Sequence, residues 1–254
     1  MPGLLSLDPV LIVVVVAVML FAGLVHGTLG LGFPMVATPI LAIFFDVRSA
    51  ILLTLLPTVA VNVVSIWHSP DSVENVRRFF PLIAFSLLGA LIGALILASV
   101  DPSPFRIVLA ALIALYLVSN RIGRIRGDWL QQNLFAAMVL FGLVAGLSAG
   151  TTNVMVAVLI IFFLALETPR ESMVPALNSC FLMGKLAQIV VLSFAGFVTW
   201  TLLAETSPLA LVGVAALLAG QRIRASIPVD TYRRVLHGLL VLLAVVLIAQ
   251  FVAE

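Results

Sequence analysis

The chain has 254 residues, 63% hydrophobic and 9% charged, with a formal net charge of +2. Soluble domains carry about 25% charged residues, so this chain has too few charges to cover a water-exposed surface, and lipid must solvate most of it. So small a net charge gives no basis for a nucleic-acid partner. A single cysteine, Cys180, excludes an internal disulfide. His26, His68 and His237 lie far apart without metal-ligand spacing, so no metal or other cofactor is expected.

A spanning helix takes about 20 apolar residues, so this length suits about eight to ten membrane segments. Apolar runs lie at 10–26, 33–45, 49–67, 79–98, 105–119, 130–149, 154–166, 172–195, 206–221 and 233–252. No Lys or Arg precedes the first run, the first cation being Arg48. Residues 10–26 therefore read as a retained membrane segment rather than a cleavable signal. The connections are short and hold nearly all the charge. Asn120–Asp128, with Arg121, Arg124 and Arg126, falls near the middle and divides the chain into membrane repeats at 1–128 and 129–254.

An internal repeat supports that division. A shift of 123 lays Ala22-Gly23-Leu24 on Ala145-Gly146-Leu147 and Gly27-Thr28 on Gly150-Thr151; a shift of 127 lays Phe105-Arg106 on Tyr232-Arg233 and Gly93 on Gly220. Arginine placement chooses the orientation. Parallel halves split the 12 arginines five to seven across the membrane. Inverted halves leave Arg48 and Arg106 on one side and the other ten opposite them. Cytoplasmic loops are enriched in Lys and Arg, so the inverted arrangement is expected, with both termini outside. The runs 33–45 and 154–166 are short for full crossings and read as half-helices, tilted short crossings or parts of re-entrant hairpins.

The stretch Ala22–Pro39 holds Gly23, Gly27, Gly30 and Gly32, then Pro34 and Pro39. Against Ala, each helical glycine costs about 1 kcal/mol and each proline about 3, so a regular helix is not expected here. Unwound backbone at membrane depth survives where it is buried in protein or lines a watery cavity. There its bare N–H groups and a following helix N-terminus suit an anion. Gly23 and Gly27 alone read as close helix packing.

The pattern Gly23-x-x-x-Gly27-x-x-Gly30-x-Gly32, followed by Pro39-x-Leu41, resembles the glycine-rich signature of the TauE/SafE family of sulfite and organosulfur anion exporters, and the two-half layout resembles that family along essentially the whole chain. The family signature runs to three consecutive glycines; here Gly30-Leu31-Gly32-Phe33 stands in that place, and the second half keeps only Gly146-Leu-Ser-Ala-Gly150-Thr-Thr-Asn153. The resemblance implies an all-α polytopic membrane protein of two inverted repeats. Each repeat has about five helical segments with broken or re-entrant glycine-rich stretches. It implies a transporter rather than an enzyme, in a bacterial inner membrane, exporting a sulfur oxyanion or organosulfonate such as sulfite or sulfoacetate. Its partners are then the small anion and the lipid bilayer; a homo-oligomer is compatible with this layout. Signature and repeat together put Gly27, Thr28, Gly30, Gly32, Gly150, Thr151, Thr152 and Asn153 at the substrate site.

Polar residues inside apolar runs extend the site. Thr54, Thr58, Asn62 and Ser65 share one helix face, as do Asn178, Lys185 and Gln188. The 123-residue shift lays Asn62 on Lys185 and Ser65 on Gln188, which points to one central cavity between repeats. Lys185, the only lysine, sits mid-run with no acid beside it, at a cost of about 2.5–3.5 kcal/mol in a bilayer. It is expected to hold the anion, with Asn62 opposite and Gln188 one turn along, and His26 as a ligand contact or proton carrier. Trp67, Trp129 and Trp200 read as interfacial anchors. Two other functions were weighed: an anion channel of the same architecture, and an intramembrane serine hydrolase built on Gly146-Leu-Ser148-Ala-Gly150, which matches a nucleophile elbow but lacks the strand such a turn follows.

Overall fold

Inside a bilayer, backbone N–H and C=O groups find no partner but one another, which forces spanning segments into helices or closed barrels. The computed structural model describes residues 8–69, 72–122, 128–223 and 229–253; these form helices and turns and contain no strand. In chain order the helices are α1 (Pro9–Leu29), α2 (Phe33–Leu41), α3 (Val47–Trp67), α4 (Ser72–Arg78), α5 (Phe80–Ser99) and α6 (Phe105–Ile122). They continue with α7 (Asp128–Gln132), α8 (Leu134–Thr152), α9 (Val156–Ala165), α10 (Arg170–Phe194), α11 (Trp200–Ile223) and α12 (Val229–Ala253). Among the described residues six helices are long and apolar enough to cross a membrane: α1, α3, α5, α8, α10 and α11. The other expected segments are represented by shorter apolar stretches, Phe105–Val118, Val156–Ala165 and Leu240–Gln250, and by α2, nine residues long.

Local chemistry fixes the helix starts. Asp8 caps α1 by accepting from Val10 N at 2.8 Å, with Pro9 at the first helical position. Asp46 caps α3 through Ser49 N at 3.0 Å. Each cap satisfies an N–H group the helix cannot pair itself. Trp67 and Trp200 lie at helix ends and are 85% and 88% exposed, as interfacial anchors require.

Glycine governs the packing. Gly23 and Gly27 of α1 lie against Gly213, Ala216 and Gly220 of α11, while Gly142, Gly146 and Gly150 of α8 lie against Leu82, Ser86, Ala90 and Ala94 of α5. Position rises together on both partners, so each pair runs parallel. Backbones approach this closely only where no Cβ intervenes. Gly23 and Gly27 therefore pack α1 on α11, the reading each carries when taken alone, whereas the unwound backbone expected at Gly27 is not found.

Polar contacts at the two ends fix the remaining directions. At one end Arg48, in the first turn of α3, donates from Nε and Nη2 to Leu97 O near the end of α5 (3.0 and 2.7 Å). Its guanidinium also lies 4.6 Å from the Phe197 ring, just beyond α10. Gln250 near the end of α12 donates to Ile43 O after α2 at 3.2 Å. At the opposite end Arg170, opening α10, donates to Leu29 O at the end of α1 (2.6 Å). Hence α3 and α10 run antiparallel through the centre, and both α1 starts and α12 ends at the Arg48 end. Arg124, Arg126, Arg224 and the junction 123–127 lie outside the described residues.

A Cβ added at Gly27 would stand 2.9 Å from Gln221 N, and one at Gly146 would stand 2.8 Å from Ala90 N. Backbone cannot yield as a side-chain tip can, so Gly27→Val and Gly146→Val should each cost about 1–3 kcal/mol or more. Gly238→Ala meets nothing within 4 Å and should be neutral or gain up to about 1 kcal/mol. Thermal unfolding of the purified variants reads the difference.

Candidate functional site

Two short chain breaks open on residues 123 positions apart, Gly30 and Asn153. The first is Gly30–Gly32, between α1 and α2; the second is 153–155, between α8 and α9. Both open on a left-handed residue, Gly30 (φ 81°) and Asn153 (φ 66°). The first break is narrower than the Ala22–Pro39 stretch, and narrower than its part from Gly27 to Gly32 where substrate contacts are expected. Gly27 and Thr28 remain helical because the contact with α11 needs α1 regular there. The second break forms without a glycine run because Asn is the non-glycine residue that tolerates this conformation best. Thr28, Thr151 and Thr152, expected as ligand contacts, direct their hydroxyls to carbonyls of their own helices at 2.9–3.3 Å.

Lys185 lies at the second break. Its Nζ donates to Asn153 Oδ1 at 2.7 Å and Gln188 Oε1 at 2.8 Å, and it is 2% exposed. Both partners are neutral amides. Gln188 Nε2 donates in turn to the carbonyls of Ala149 (2.9 Å) and Gly150 (3.1 Å), at the end of α8. Asn153 Nδ2 donates to Thr38 Oγ1 of α2 (2.9 Å) and Thr54 Oγ1 of α3 (3.1 Å). One connected network thus joins α2, α3, α8 and α10.

The first break carries the matching network in different chemistry. His26 Nδ1 accepts from Phe33 N at 3.3 Å, which leaves the ring proton on Nε2, donated to Ser65 Oγ at 2.8 Å. Asn178 Nδ2 donates to Gly30 O at 3.1 Å, while its Oδ1 is buried without a partner. Beside this break lies a cavity of about 380 Å³ lined by Gly27, Gly30, Ser65, His68, Arg170 and Gln221, among others. It reaches the surface at the Arg170 end, where His68 and Glu171 are exposed.

The sequence expectation placed Asn62 opposite Lys185. Instead Asn62 Nδ2 donates to Thr58 O in its own helix at 2.8 Å, and its Oδ1 and Thr58 Oγ1 are buried without partners. Asn153 takes the place beside the ammonium, and Thr38 and Thr54 support it. The 123-residue shift that lays Asn153 on Gly30 carried this signal; Thr38 had none, lying among apolar residues of a short run. Ser148 sits inside α8 with its hydroxyl donating to Val144 O at 2.9 Å, and His26 pairs with Ser65 rather than with it. No group of three His, Cys, Asp or Glu among the described residues is placed to hold a metal.

Residues 15–247 match the family described as sulfite exporter TauE/SafE. The chain belongs to the TauE/SafE family. It is therefore a multi-pass membrane protein of a transporter family, as the glycine signature and two-half layout led one to expect. No curated protein and no solved structure matches it. The match spans both breaks and both networks, so the asymmetry between the Gly30 and Asn153 breaks lies within the TauE/SafE region of the chain.

Ser65→Ala should strip His26 Nε2 of its acceptor in a buried site, at a cost of about 1–3 kcal/mol. Ser69→Ala, whose hydroxyl is half-buried and donates to Ser65 O, should cost less. Paired thermal unfolding curves give the comparison.

Proposed function

We propose that this TauE/SafE chain exports a small anion, a sulfur oxyanion or organosulfonate such as sulfite or sulfoacetate, across a bacterial inner membrane. Transport runs by alternating access between two inverted repeats, with Lys185 as the cation that holds the substrate. The carrying observation is the buried Lys185 Nζ held only by the neutral oxygens of Asn153 and Gln188. A central cation is costly in a bilayer, and a passing anion offsets that cost. Lys185 and Gln188 are the inner contacts in this reading, with Asn153 beside them. Gly30 lines the approach, Gly32, Asn178 and His26 are buried behind it, and Asn62 stands one turn from the buried Thr58 oxygen.

Helix directions support the inversion. The order α1, α2, α3, α5, α6 recurs as α8, α9, α10, α11, α12. α3 runs opposite to its counterpart α10, and the contacts come in exchanged pairs: α1 on α11 with α8 on α5, and α12 on α2 with α6 on α9. Transporters built this way bind substrate at the repeat interface. Arg77, Arg78, Arg170 and Arg222 belong to the Arg170 end, against Arg48 and Arg106 opposite. This supports a cytoplasmic Arg170 end, and the cavity beside Gly30 then opens to the side from which an exporter loads. One break open and its twin tied shut is the inequality that alternating access calls for and a channel does not.

A C-terminal fluorescent protein that matures only in the cytoplasm should stay dark, and the same reporter inserted in the Asn120–Asp128 loop should shine. A bright C-terminal fusion contradicts the inverted assignment.

Lys185→Gln keeps polarity and removes the charge. Losing a charge-assisted bond should weaken anion binding by about 1.5–3 kcal/mol, whereas Asn62→Ala should cost less. Sulfite and sulfoacetate flux in vesicles, normalised to folded protein, measures both. Parent-like flux in Lys185→Gln would make the lysine a structural residue.

A further inference from the structure

The two breaks open on residues 123 positions apart, yet one of these carries a side chain and the other does not. Gly30, without one, stands on the wall of the open cavity. Asn153, in the same left-handed conformation, is 2% exposed and is tied to three helices outside its own. Resting on the assignment of Lys185 to the anion, we propose that Asn153 is a latch: its side-chain oxygen occupies the anion's place on Lys185 when the site is empty. Anion binding and closure of the Arg48 end then exclude each other.

The orientation of the Asn153 amide follows from its neighbours. Thr54 Oγ1 gives its own proton to the carbonyls of Ala50 (3.0 Å) and Ile51 (2.9 Å). Toward Asn153 it can therefore only accept, and the Asn153 nitrogen must face it and Thr38. The oxygen is left to face Lys185, at 2.7 Å. A flipped amide would set its N–H groups against the ammonium and its oxygen against Thr54 Oγ1, whose proton is already given to its own helix, so one orientation holds.

An oxyanion approaching the lysine competes with this amide oxygen for the same ammonium hydrogens. The Lys185 ammonium already makes its bond to Asn153 charge-assisted; an anion adds the attraction of opposite charges that a neutral amide lacks, and so displaces Asn153. Displacement severs the direct tie between the α8–α9 break and Lys185 on α10. Gln188 keeps its bonds to the Ala149 and Gly150 carbonyls, so the helices stay in register while the break is released. Arrival of substrate thus becomes the event that unlocks the far face. In the first half the equivalent lock is absent because Gly30 has no side chain, and that break already stands beside the cavity.

Two substitutions at Asn153 separate a latch from a merely structural residue. Asn153→Gly keeps the left-handed turn without strain and deletes the competing oxygen. Sodium sulfite should bind the folded full chain in detergent at least threefold more tightly than the parent, measured by titration calorimetry. Asn153→Asp, nearly isosteric, places a permanent carboxylate on Lys185 and should weaken sulfite binding more than tenfold. Lys185→Gln runs alongside. Unchanged or weaker binding in Asn153→Gly, or binding within threefold of the parent in Asn153→Asp, overturns the latch while a defective Lys185→Gln leaves the anion site standing. Parent-like binding in Lys185→Gln removes the anion site and the latch with it. Structural damage alone cannot produce the expected gain in affinity, and should the glycine variant not fold, the aspartate variant decides the matter.

Discussion

The architecture depends on backbone-to-backbone contact along two glycine seams, α1 on α11 and α8 on α5. Lipid tails are as apolar as leucine, so these helices are held by close approach rather than by escape from water. Because each seam joins a helix from residues 1–128 to one from residues 129–254, the two stretches of chain interlock rather than sit side by side. α3 and α10 are thereby left in the middle, and the polar side chains they carry face protein instead of lipid.

What fills that middle is amide and hydroxyl chemistry. Asn153, Gln188, Asn178 and Asn62 supply carbonyl oxygens and N–H groups, and the single interior ammonium rests on two of those oxygens. Neutral partners hold a lysine in place without cancelling its charge, whereas a carboxylate would have made a permanent pair. The buried oxygens of Asn62, Thr58 and Asn178 have no protein partner and extend this polar lining along α3 and α10.

Membrane character, helical class and family were legible because they rest on composition and on a glycine signature. Lys185 stood out for a similar reason, as the only lysine, set in an apolar run, and Gln188, expected one turn along, does accept from it. Its bond to Asn153 was not legible. Pairing Lys185 with Asn62 used the repeat shift, which relates equivalent positions but does not bring them together; antiparallel α3 and α10 bring unlike positions into register instead. The extent of the first break was also misread. Glycine density argued for a longer unwound stretch, but Gly27 is a packing residue and only Gly30–Gly32 leave the helix. A glycine in a membrane helix either breaks it or lets a neighbour approach, and only the neighbour's position tells which.

The interlock also bears on how the chain is made. α1 enters the membrane long before α11, the helix that covers Gly23 and Gly27, and α5 must wait for α8. Until the second half is synthesised the first therefore carries two uncovered glycine faces in lipid, with Asn62 and Thr58 on a helix whose neighbour α10 does not yet exist. The order of synthesis makes insertion of α8 through α11 the step at which both glycine seams can first close.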